Sequence, residues 1–385
     1  MTLHGEFYME NKCDVLILSA MFGLGHITVS KSIKEHLKSY DENLRINIID
    51  IFEKITPKLH DGIYKGYELL IKNEHKIYNY FYYKKKSKDK SQLNNIVYNM
   101  YKKKFAQYIA DTKPKLIIST FPMCSKFVSK FKEEFKSDIP LITCITDVVD
   151  SWEWIHPHTD RYFVATDKIK KRLYEKGIKK DKIKVTGIPV RKEFLNEKAK
   201  HPNMINIEKD DFVILIMGGG VGLLPKNREF YYWLDNLEDV KTIILTGKNK
   251  KAYNTLIKEE NFKNIKILGY TENVADLMSQ SNIIVTKAGG VTLFEAINTK
   301  LPIVVYKPLL GQEIENCKFI IEDGIGTMAN DTDELKNRIL ELKLDKDHRK
   351  NVRKNLLDIQ NNINIDKLAK YILELYYIKS MKSII

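Results

Sequence analysis

The residues that indicate chemistry most directly form the stretch 286–296, in which Gly289 and Gly290 separate a short apolar run from a helical pattern. The apolar run 283–285 predicts a buried strand. A strand that passes through glycines into a helix leaves free backbone N–H groups at the helix start, and such groups bind phosphate. Glu295, inside the helix, offers a carboxylate for two ribose hydroxyls. The stretch 307–316 follows another predicted strand and offers amide and carboxylate groups suited to a sugar. Together the two stretches predict a nucleotide-sugar site.

Each half of the chain also opens with a strand and a glycine loop, at residues 19–26 and 218–222. Neither loop is the full dinucleotide fingerprint, because Thr28 stands where the first loop would need its third glycine. The chain contains no GxxxxGK[ST] motif. The sequence therefore predicts neither NAD binding nor ATP hydrolysis.

His26 directly follows Gly25 at the predicted start of a helix. A histidine there could take a proton from an acceptor hydroxyl. We expect the helix N-terminus to lower its pKa and to favour the neutral, basic form. A capping or packing histidine is the alternative.

Further polar residues follow other predicted strands. Asp147 could orient a base or bind the acceptor, and Trp154 and His156 could line the acceptor pocket, although a purely structural turn would look similar. Arg191 ends a stiff turn that could face a cleft between domains or lie on the surface. No Asp-x-Asp follows a predicted strand, and no His/Cys ligand spacing predicts a metal site. We expect backbone N–H groups, a helix dipole and Lys287 or Arg191 to offset the pyrophosphate charge.

The charge of the chain is uneven. The formal net charge is +14, and residues 54–104 contain 13 lysines against four acids, a net charge of +9, with many tyrosines among them. Lysine mixed with tyrosine suits an anionic membrane surface. The alternative is an ordinary solvent-exposed basic surface in a protein from a lysine-rich proteome. No known nucleic-acid-binding motif accompanies the charge. The predicted membrane contacts are Tyr82, Tyr83, Lys84, Lys85 and Lys86.

The elements that must position these residues alternate along the chain. Short apolar runs and amphipathic segments form two series, which predict an α/β protein with two doubly wound, Rossmann-like domains facing each other across a cleft. The expected domains are residues 1–195 and 196–362, with a C-terminal helix in 363–385. Four cysteines without a CxxC pair indicate buried reduced thiols. No secretory signal or spanning run is visible, so we expect a cytoplasmic protein.

Five blocks in this order resemble the diacylglycerol glycosyltransferases related to monogalactosyldiacylglycerol synthase and the bacterial processive glucosyltransferases. They are residues 19–26, 146–156, 162–167 with 186–191, 286–296 and 307–316. The resemblance implies a GT-B fold, a UDP-sugar in the C-terminal domain, a lipid acceptor at the N-terminal domain, and inversion at the anomeric carbon without a metal or other cofactor.

The resemblance also implies roles for individual residues. His26 is expected to act on the acceptor, with Asp147 as the alternative base, Glu295 is expected on the ribose, and Gln312 and Glu313 on the sugar hydroxyls. The acceptor site is expected at Gly23, Gly25, Trp154 and His156. The expected donor-binding residues are Arg191, Gly218, Gly219, Gly220, Lys287, Gly289, Gly290, Val291, Thr292, Glu295, Gln312, Glu313 and Asn316.

Three positions depart from the family pattern. Ala288 and Leu310 stand where proline is expected, which would leave both loops less rigid. Ser151 stands where relatives often have histidine, which bears on the acceptor contacts and on the number of sugars added.

The resemblance thus implies transfer of a hexose from a UDP-hexose to the 3-hydroxyl of 1,2-diacylglycerol, with glucose favoured because the bacterial members of the family use it. The expected partners are the UDP-hexose, diacylglycerol and the anionic inner face of the plasma membrane, with no nucleic acid. Three alternatives remain at this stage: an N-acetylglucosaminyl transferase acting on a polyprenyl-linked acceptor, an epimerase of the same fold, and a non-catalytic membrane-binding protein.

Overall fold

The computed structural model describes residues 12–57, 59–73, 79, 92–195, 207–208, 210–219, 224–258 and 262–382. The chain divides into two compact units. The first comprises Met1–Arg191 and Asn364–Ile385, and the second comprises Lys192–Ile363. The sequence-based boundary lies four residues further on, between 195 and 196. The C-terminal helix, which the sequence sets apart, groups with the first unit.

The first unit is built on a six-stranded parallel sheet with the strand order β2-β1-β3-β4-β5-β6. Its strands are short and largely buried on both faces, which is why each reads as a continuous apolar run. They are β1 Val15–Ser19, β2 Ile46–Asp50, β3 Leu116–Ser119, β4 Leu141–Cys144, β5 Arg161–Val164 and β6 Ile183–Val185. The α-helices described in this unit are Gly25–Lys38, Ile51–Ile55, His60–Asn73, Gln92–Thr112, Pro122–Phe135, Asp167–Glu175 and Leu368–Lys382.

The second unit repeats this plan with the strand order β12-β11-β10-β7-β8-β9, again parallel throughout. The strands are β7 Phe212–Met217, β8 Val240–Leu245, β9 Ile265–Leu268, β10 Ile283–Thr286, β11 Ile303–Tyr306 and β12 Gly326–Ala329. Its described α-helices are Arg228–Asp235, Lys250–Lys258, Val274–Ser279, Gly290–Asn298, Gly311–Glu322, Thr332–Leu344 and Lys346–Asn362. Short 3-10 turns are Trp152–Trp154, Lys180–Lys182, Lys192–Leu195 and Ile365–Lys367.

In each sheet the strand order reverses at one place, between two neighbouring strands, which we call the switch point. In the first, the chain proceeds from β1 to β2 on one side and then returns to β3 on the other; in the second, β7 and β10 are the corresponding neighbours. The connections leaving two such strands run in opposite directions, so a crevice opens at their carboxyl ends, where open α/β sheets bind ligands. The glycine loops named above follow β1, β7 and β10.

The C-terminal helix Leu368–Lys382 packs along the amino edge of the first sheet. Arg161, at the start of β5, pairs with Glu374 at 3.0 Å. Tyr376 is buried, and its hydroxyl donates to Asp14 at 3.4 Å beside the start of β1. These bonds explain why the last segment of the chain belongs to the first unit.

Strand β12 is absent from the sequence prediction, because Gly-Thr-Met-Ala contains no apolar run. It pairs at the sheet edge with β11, where Gly326 lies opposite Ile303. A Cβ atom on Gly326 would lie 2.1 Å from the carbonyl oxygen of Ile303, so only glycine fits.

We therefore expect Gly326→Ala to destabilise the second unit by about 1–3 kcal/mol, the usual cost of overpacking. Thermal unfolding should show a lower midpoint for this variant. Gly269→Ala is the matched control, because the nearest atom to its Cβ would be 4.0 Å away. Equal midpoints for the two variants would contradict the assignment of β12.

Candidate functional site

The first candidate site begins in the loop after β1. Gly23 has a φ of +80°, a left-handed conformation that favours glycine, and nothing lies within 4 Å of where its Cβ would be. The chain then enters the helix Gly25–Lys38, whose first turn contains no acidic residue and whose N-cap, Leu24, makes no side-chain cap. This turn brings His26 to the switch point beside β3.

The His26 ring is held from two neighbouring strands. Its Nδ1 lies 2.9 Å from the carbonyl oxygen of Thr120, after β3, and 3.0 Å from the hydroxyl of Thr146, after β4. A carbonyl oxygen only accepts, so Nδ1 carries the hydrogen and Nε2 carries the lone pair. His26 is thereby fixed in the tautomer that can accept a proton at Nε2.

Burial lowers the pKa of His26 to about 4, and the bond to Thr120 opposes that shift. The imidazole is therefore neutral at physiological pH. The lowered pKa agrees in direction with the sequence-based expectation, and desolvation is its largest cause.

Aromatic rings surround His26 on the protein side. Phe121 meets it edge-on with ring centroids 5.1 Å apart, and the buried Trp154 lies 6.5 Å away. Phe22 stacks on Phe121 at 5.1 Å. The sequence analysis identified Trp154 but missed Phe121, which no motif marks. These rings supply the apolar surroundings that desolvate the imidazole.

A buried carboxylate fixes the loop that carries Gly23. Asp50, at the end of β2, accepts from the backbone N–H of Met21 at 3.0 Å and from the Tyr64 hydroxyl at 2.5 Å. Its other oxygen caps the helix Ile51–Ile55. Burial, followed by the hydrogen bond to Asp50, raises the pKa of Tyr64, so the phenol remains a donor. Neither Asp50 nor Tyr64 was singled out by the sequence.

The remaining acceptor candidates lie in residues 146–156. Asp147 is partly buried and directly follows Thr146, which contacts His26. Burial lowers the pKa of His156 to about 4. Within the described part of the chain, the buried His156 Nε2 and Ser151 Oγ find no hydrogen-bond partner. The acceptor roles of Asp147, His156 and Gly25 stay predictions.

The second candidate site lies at the switch point of the second sheet, where the loops after β7 and β10 are neighbours. Gly219 has a φ of +67°, and a Cβ there would lie 2.8 Å from Cε of Lys287. The stem of Lys287 therefore crosses directly over the glycine loop. Gly218 is buried, and Gly220 lies outside the described residues. A recess beside this contact is lined by Met217, Thr286, Lys287 and Tyr306 among others.

Lys287 ends in an ion pair with Glu313. Their Nζ and Oε1 atoms are 3.2 Å apart, and the Glu313 side chain is only 8% exposed. The other carboxylate oxygen accepts from the backbone N–H groups of Leu309 and Leu310, at 3.3 and 3.5 Å, at the start of the helix Gly311–Glu322. Both oxygens of this predicted sugar-binding residue thus have partners within the protein. Its contact with a sugar stays a prediction.

Asn316 holds the glycine turn after β10. Its side chain is fully buried, and Nδ2 donates to the carbonyl oxygen of Ala288 at 2.9 Å. Ala288 itself is buried, so this bond and its packing fix a loop that was expected to be less rigid for want of a proline. The contact shows a positioning role for Asn316, and direct donor contact stays a prediction.

The helix Gly290–Asn298 begins at this turn. Gly289 is its N-cap and provides no side-chain cap, and the first turn contains no acidic residue. The first N–H groups of a helix, here those of Gly290, Val291 and Thr292, have no acceptor within the helix and attract an anion. Glu295 is buried in the same helix, 6% exposed, and its ribose contact stays a prediction.

For two donor candidates the structure gives only their burial or position, and the membrane candidates are not described. Gln312 is partly buried in the first turn of its helix, and Arg191 is the last residue of the first unit's main segment. Tyr82, Tyr83 and Lys84 to Lys86 lie outside the described residues. Among the described helices, none combines the length and hydropathy that a membrane crossing requires. In the same part of the chain, no three His, Cys, Asp or Glu side chains gather as metal ligands would.

The state of His26 can be tested by NMR. We expect its ring to titrate near pH 4 and to carry the hydrogen on Nδ1, because burial disfavours the cation. In the unfolded chain a histidine titrates near its ordinary pKa of about 6.5. The unfolded state therefore binds more protons between these values, and His26 should lower the stability as the pH falls from 6.5 to 4.

The measurement is a pH titration of ¹⁵N-labelled histidines, with His26→Gln to assign the resonance. A titration of the His26 ring near pH 6.5, or a hydrogen on Nε2, would contradict the buried tautomer.

Two family models match different parts of the chain. The profile described as monogalactosyldiacylglycerol (MGDG) synthase matches residues 26–190, and the glycosyltransferase family 28 C-terminal domain matches residues 213–376. The first match includes His26, and the second includes the loops after β7 and β10.

Similar proteins agree with these matches. The processive diacylglycerol beta-glucosyltransferase of Bacillus subtilis (strain 168) is 30% identical over 355 residues, which cover 91% of this chain and 92% of that protein. The protein of the same name from Staphylococcus saprophyticus is 32% identical over 327 residues, 83% of this chain and 82% of that one. Among solved structures, the calicheamicin glycosyltransferase CalG4 aligns with a TM-score of 0.62 at 13% identity, covering 95% of this chain and 98% of that chain.

The likeness to CalG4 shows the fold alone, and that fold is GT-B. The likeness to the Bacillus and Staphylococcus proteins covers 91% and 83% of this chain and therefore reaches both units. The chain belongs to the diacylglycerol glycosyltransferase family.

Proposed function

We propose that the protein transfers glucose from UDP-glucose to the 3-hydroxyl of 1,2-diacylglycerol and so forms a membrane glycolipid. The observation that carries this proposal is the similarity to the Bacillus subtilis enzyme, which covers 91% of this chain and therefore reaches both units. The name of that enzyme gives diacylglycerol as its acceptor and a β-glucoside as its product. UDP-glucose carries glucose in the α configuration, so a β product requires inversion.

His26 is the proposed base. The acceptor oxygen attacks the anomeric carbon, its proton passes to Nε2 of His26, and the bond between that carbon and the UDP oxygen breaks with its electron pair on UDP. One displacement of this kind inverts the carbon without a covalent intermediate. The Thr120 carbonyl and the Thr146 hydroxyl orient the ring throughout, since both lie within 3.0 Å of Nδ1. Asp147 is the alternative base.

The low pKa of His26 has two consequences for this step. A pKa of about 4 keeps Nε2 unprotonated at neutral pH, so nearly every molecule is ready to accept a proton. The same burial makes the imidazole a weak base toward a free alcohol. The proton should therefore leave late, when the oxygen has begun to bond to the anomeric carbon and has become more acidic.

The second unit is proposed to hold the donor. The diphosphate would lie against the N–H groups at the start of the helix Gly290–Asn298 and against the glycine loop after β7, with Lys287 as the nearby cation. Such fixed donors stabilise the negative charge that develops on a departing UDP. In this proposal they do so without a divalent ion.

Diacylglycerol resides in a bilayer, so the protein must work at its surface. We propose peripheral binding to anionic lipid at the inner face of the plasma membrane through the basic segment 54–104. Part of its charge has other contacts: Lys54 lies 4.7 Å from the centroid of the Tyr108 ring, and Lys102 pairs with Glu134 at 2.6 Å. Lysines 84–86 are the proposed membrane contacts within this segment.

The transfer itself is tested with purified protein, radiolabelled UDP-sugars and vesicles that contain diacylglycerol and anionic lipid. We expect a labelled lipid from UDP-glucose on thin-layer plates, and undiminished turnover in EDTA. Label from UDP-N-acetylglucosamine with a polyprenyl-linked acceptor instead would indicate the other transferase. Vesicle binding with no UDP binding and no product would indicate a non-catalytic protein.

The role of His26 is tested by His26→Ala. Loss of a general base typically lowers turnover by about 10²- to 10⁴-fold, and we expect a drop of that order in kcat. UDP affinity should not change, because His26 is proposed to act on the acceptor. His348→Ala is the control, since that histidine lies on the helix Lys346–Asn362 and is 43% exposed. Full turnover by His26→Ala would remove this residue from the mechanism.

A further inference from the structure

The ion pair between Lys287 and Glu313 links the cation proposed to bind the diphosphate of the donor to the carboxylate proposed to bind its hexose. Lys287 crosses the glycine loop at Gly219, where a diphosphate is expected. Glu313 lies in the first turn of the helix Gly311–Glu322, which is expected to contact the hexose. The loops that carry them follow the adjacent strands β10 and β11. A phosphate group and a sugar hydroxyl would therefore each compete for one member of a pair that is already formed.

The two oxygens of Glu313 are held differently. Oε2 faces the backbone N–H groups of Leu309 and Leu310, which belong to the fold and cannot leave. Among the described residues, Oε1 has one hydrogen-bond partner, the flexible end of Lys287, at 3.2 Å. A buried carboxylate without a partner is costly, so Oε1 needs a replacement donor whenever Lys287 moves away. The hydroxyls of a hexose are donors of the required kind.

Lys287 is suited to such a move. Its side chain is 30% exposed, whereas that of Glu313 is 8% exposed. The ammonium is one bond beyond Cε, which already lies against the glycine loop. A rotation of the end of the stem is enough to turn the charge from the carboxylate toward an anion in that loop, since a lysine is a point charge on a flexible chain.

We propose that Lys287 and Glu313 exchange partners when the donor binds: the diphosphate takes the Lys287 ammonium, and the freed Glu313 Oε1 accepts hydrogen bonds from hexose hydroxyls. This inference rests on the proposed function, because it presumes a UDP-hexose donor. UDP alone breaks the pair without satisfying Glu313, whereas the UDP-hexose satisfies both residues. The exchange therefore favours the intact donor over the product UDP and aids product release.

Calorimetric titration of UDP and UDP-glucose tests the exchange. In Glu313→Gln the amide oxygen can still accept from the Leu310 N–H, but the amide NH₂ repels Lys287 and releases it. We expect this variant to bind UDP roughly two- to fivefold more tightly than the wild type, the range for a partly exposed ion pair. It should also lose the preference for UDP-glucose over UDP. If Glu313 merely anchors Lys287 for phosphate binding, the same change would weaken UDP binding.

Lys287→Met, alone and combined with Glu313→Gln, completes a double-mutant cycle. It should weaken UDP binding, and adding Glu313→Gln to it should have no further effect, because no cation remains to be released. Tighter UDP binding by Glu313→Gln in the Lys287→Met background as well would show a general charge effect and overturn the exchange. Glu341→Gln is the control for loss of a carboxylate, since Glu341 is 44% exposed, pairs with Arg338 at 3.0 Å on the helix Thr332–Leu344 and should leave UDP binding unchanged.

The outcomes separate this inference from the proposed function. Wild-type protein that binds UDP, together with a Glu313→Gln variant that binds it equally or less tightly, overturns the exchange alone. Wild-type protein that binds neither UDP nor UDP-glucose overturns both. Thermal unfolding midpoints of all variants, compared with the wild type, show that each is folded at the temperature of the titration.

Discussion

The constraint on which both sites depend is the reversal of strand order in a parallel sheet. Where the chain leaves two neighbouring strands in opposite directions, no connection covers their carboxyl ends, and polar groups can gather there without being buried by the fold. In the first unit this point lies between β1 and β3, and in the second between β7 and β10. His26 and the Lys287–Gly219 contact stand at these two points.

The two sites use this position for different chemistry. At the first, a backbone carbonyl and a hydroxyl fix one histidine tautomer, and apolar rings keep the ring neutral. At the second, glycine and helix N–H groups lie beside a cation that is balanced by a buried carboxylate. In the proposed function, the neutral imidazole is the base beside the acceptor, and the cation with the N–H groups holds the departing diphosphate.

The sequence predicted most strands because a parallel sheet buries both faces of each strand and so requires apolar runs. The edge strand β12 was not predicted, because it has no apolar run. Gly326 is required there by the close carbonyl oxygen of Ile303. The sequence also pointed to His26 and Lys287 through their glycine motifs. It could not indicate the carbonyl of Thr120, because any residue has one. Nor could it show that Lys287 and Glu313, 26 residues apart, form an ion pair. The predicted sugar-binding carboxylate of Glu313 therefore already has a partner within the protein.

The most direct test of the account is the anomeric configuration and attachment point of the hexose in the lipid product, determined by NMR on material made from UDP-glucose and diacylglycerol. The account predicts a β-linked glucose on the 3-hydroxyl, because a neutral His26 permits a single inverting displacement. An α-linked product, or the absence of any glycolipid from protein that is folded and binds UDP-glucose, would contradict it.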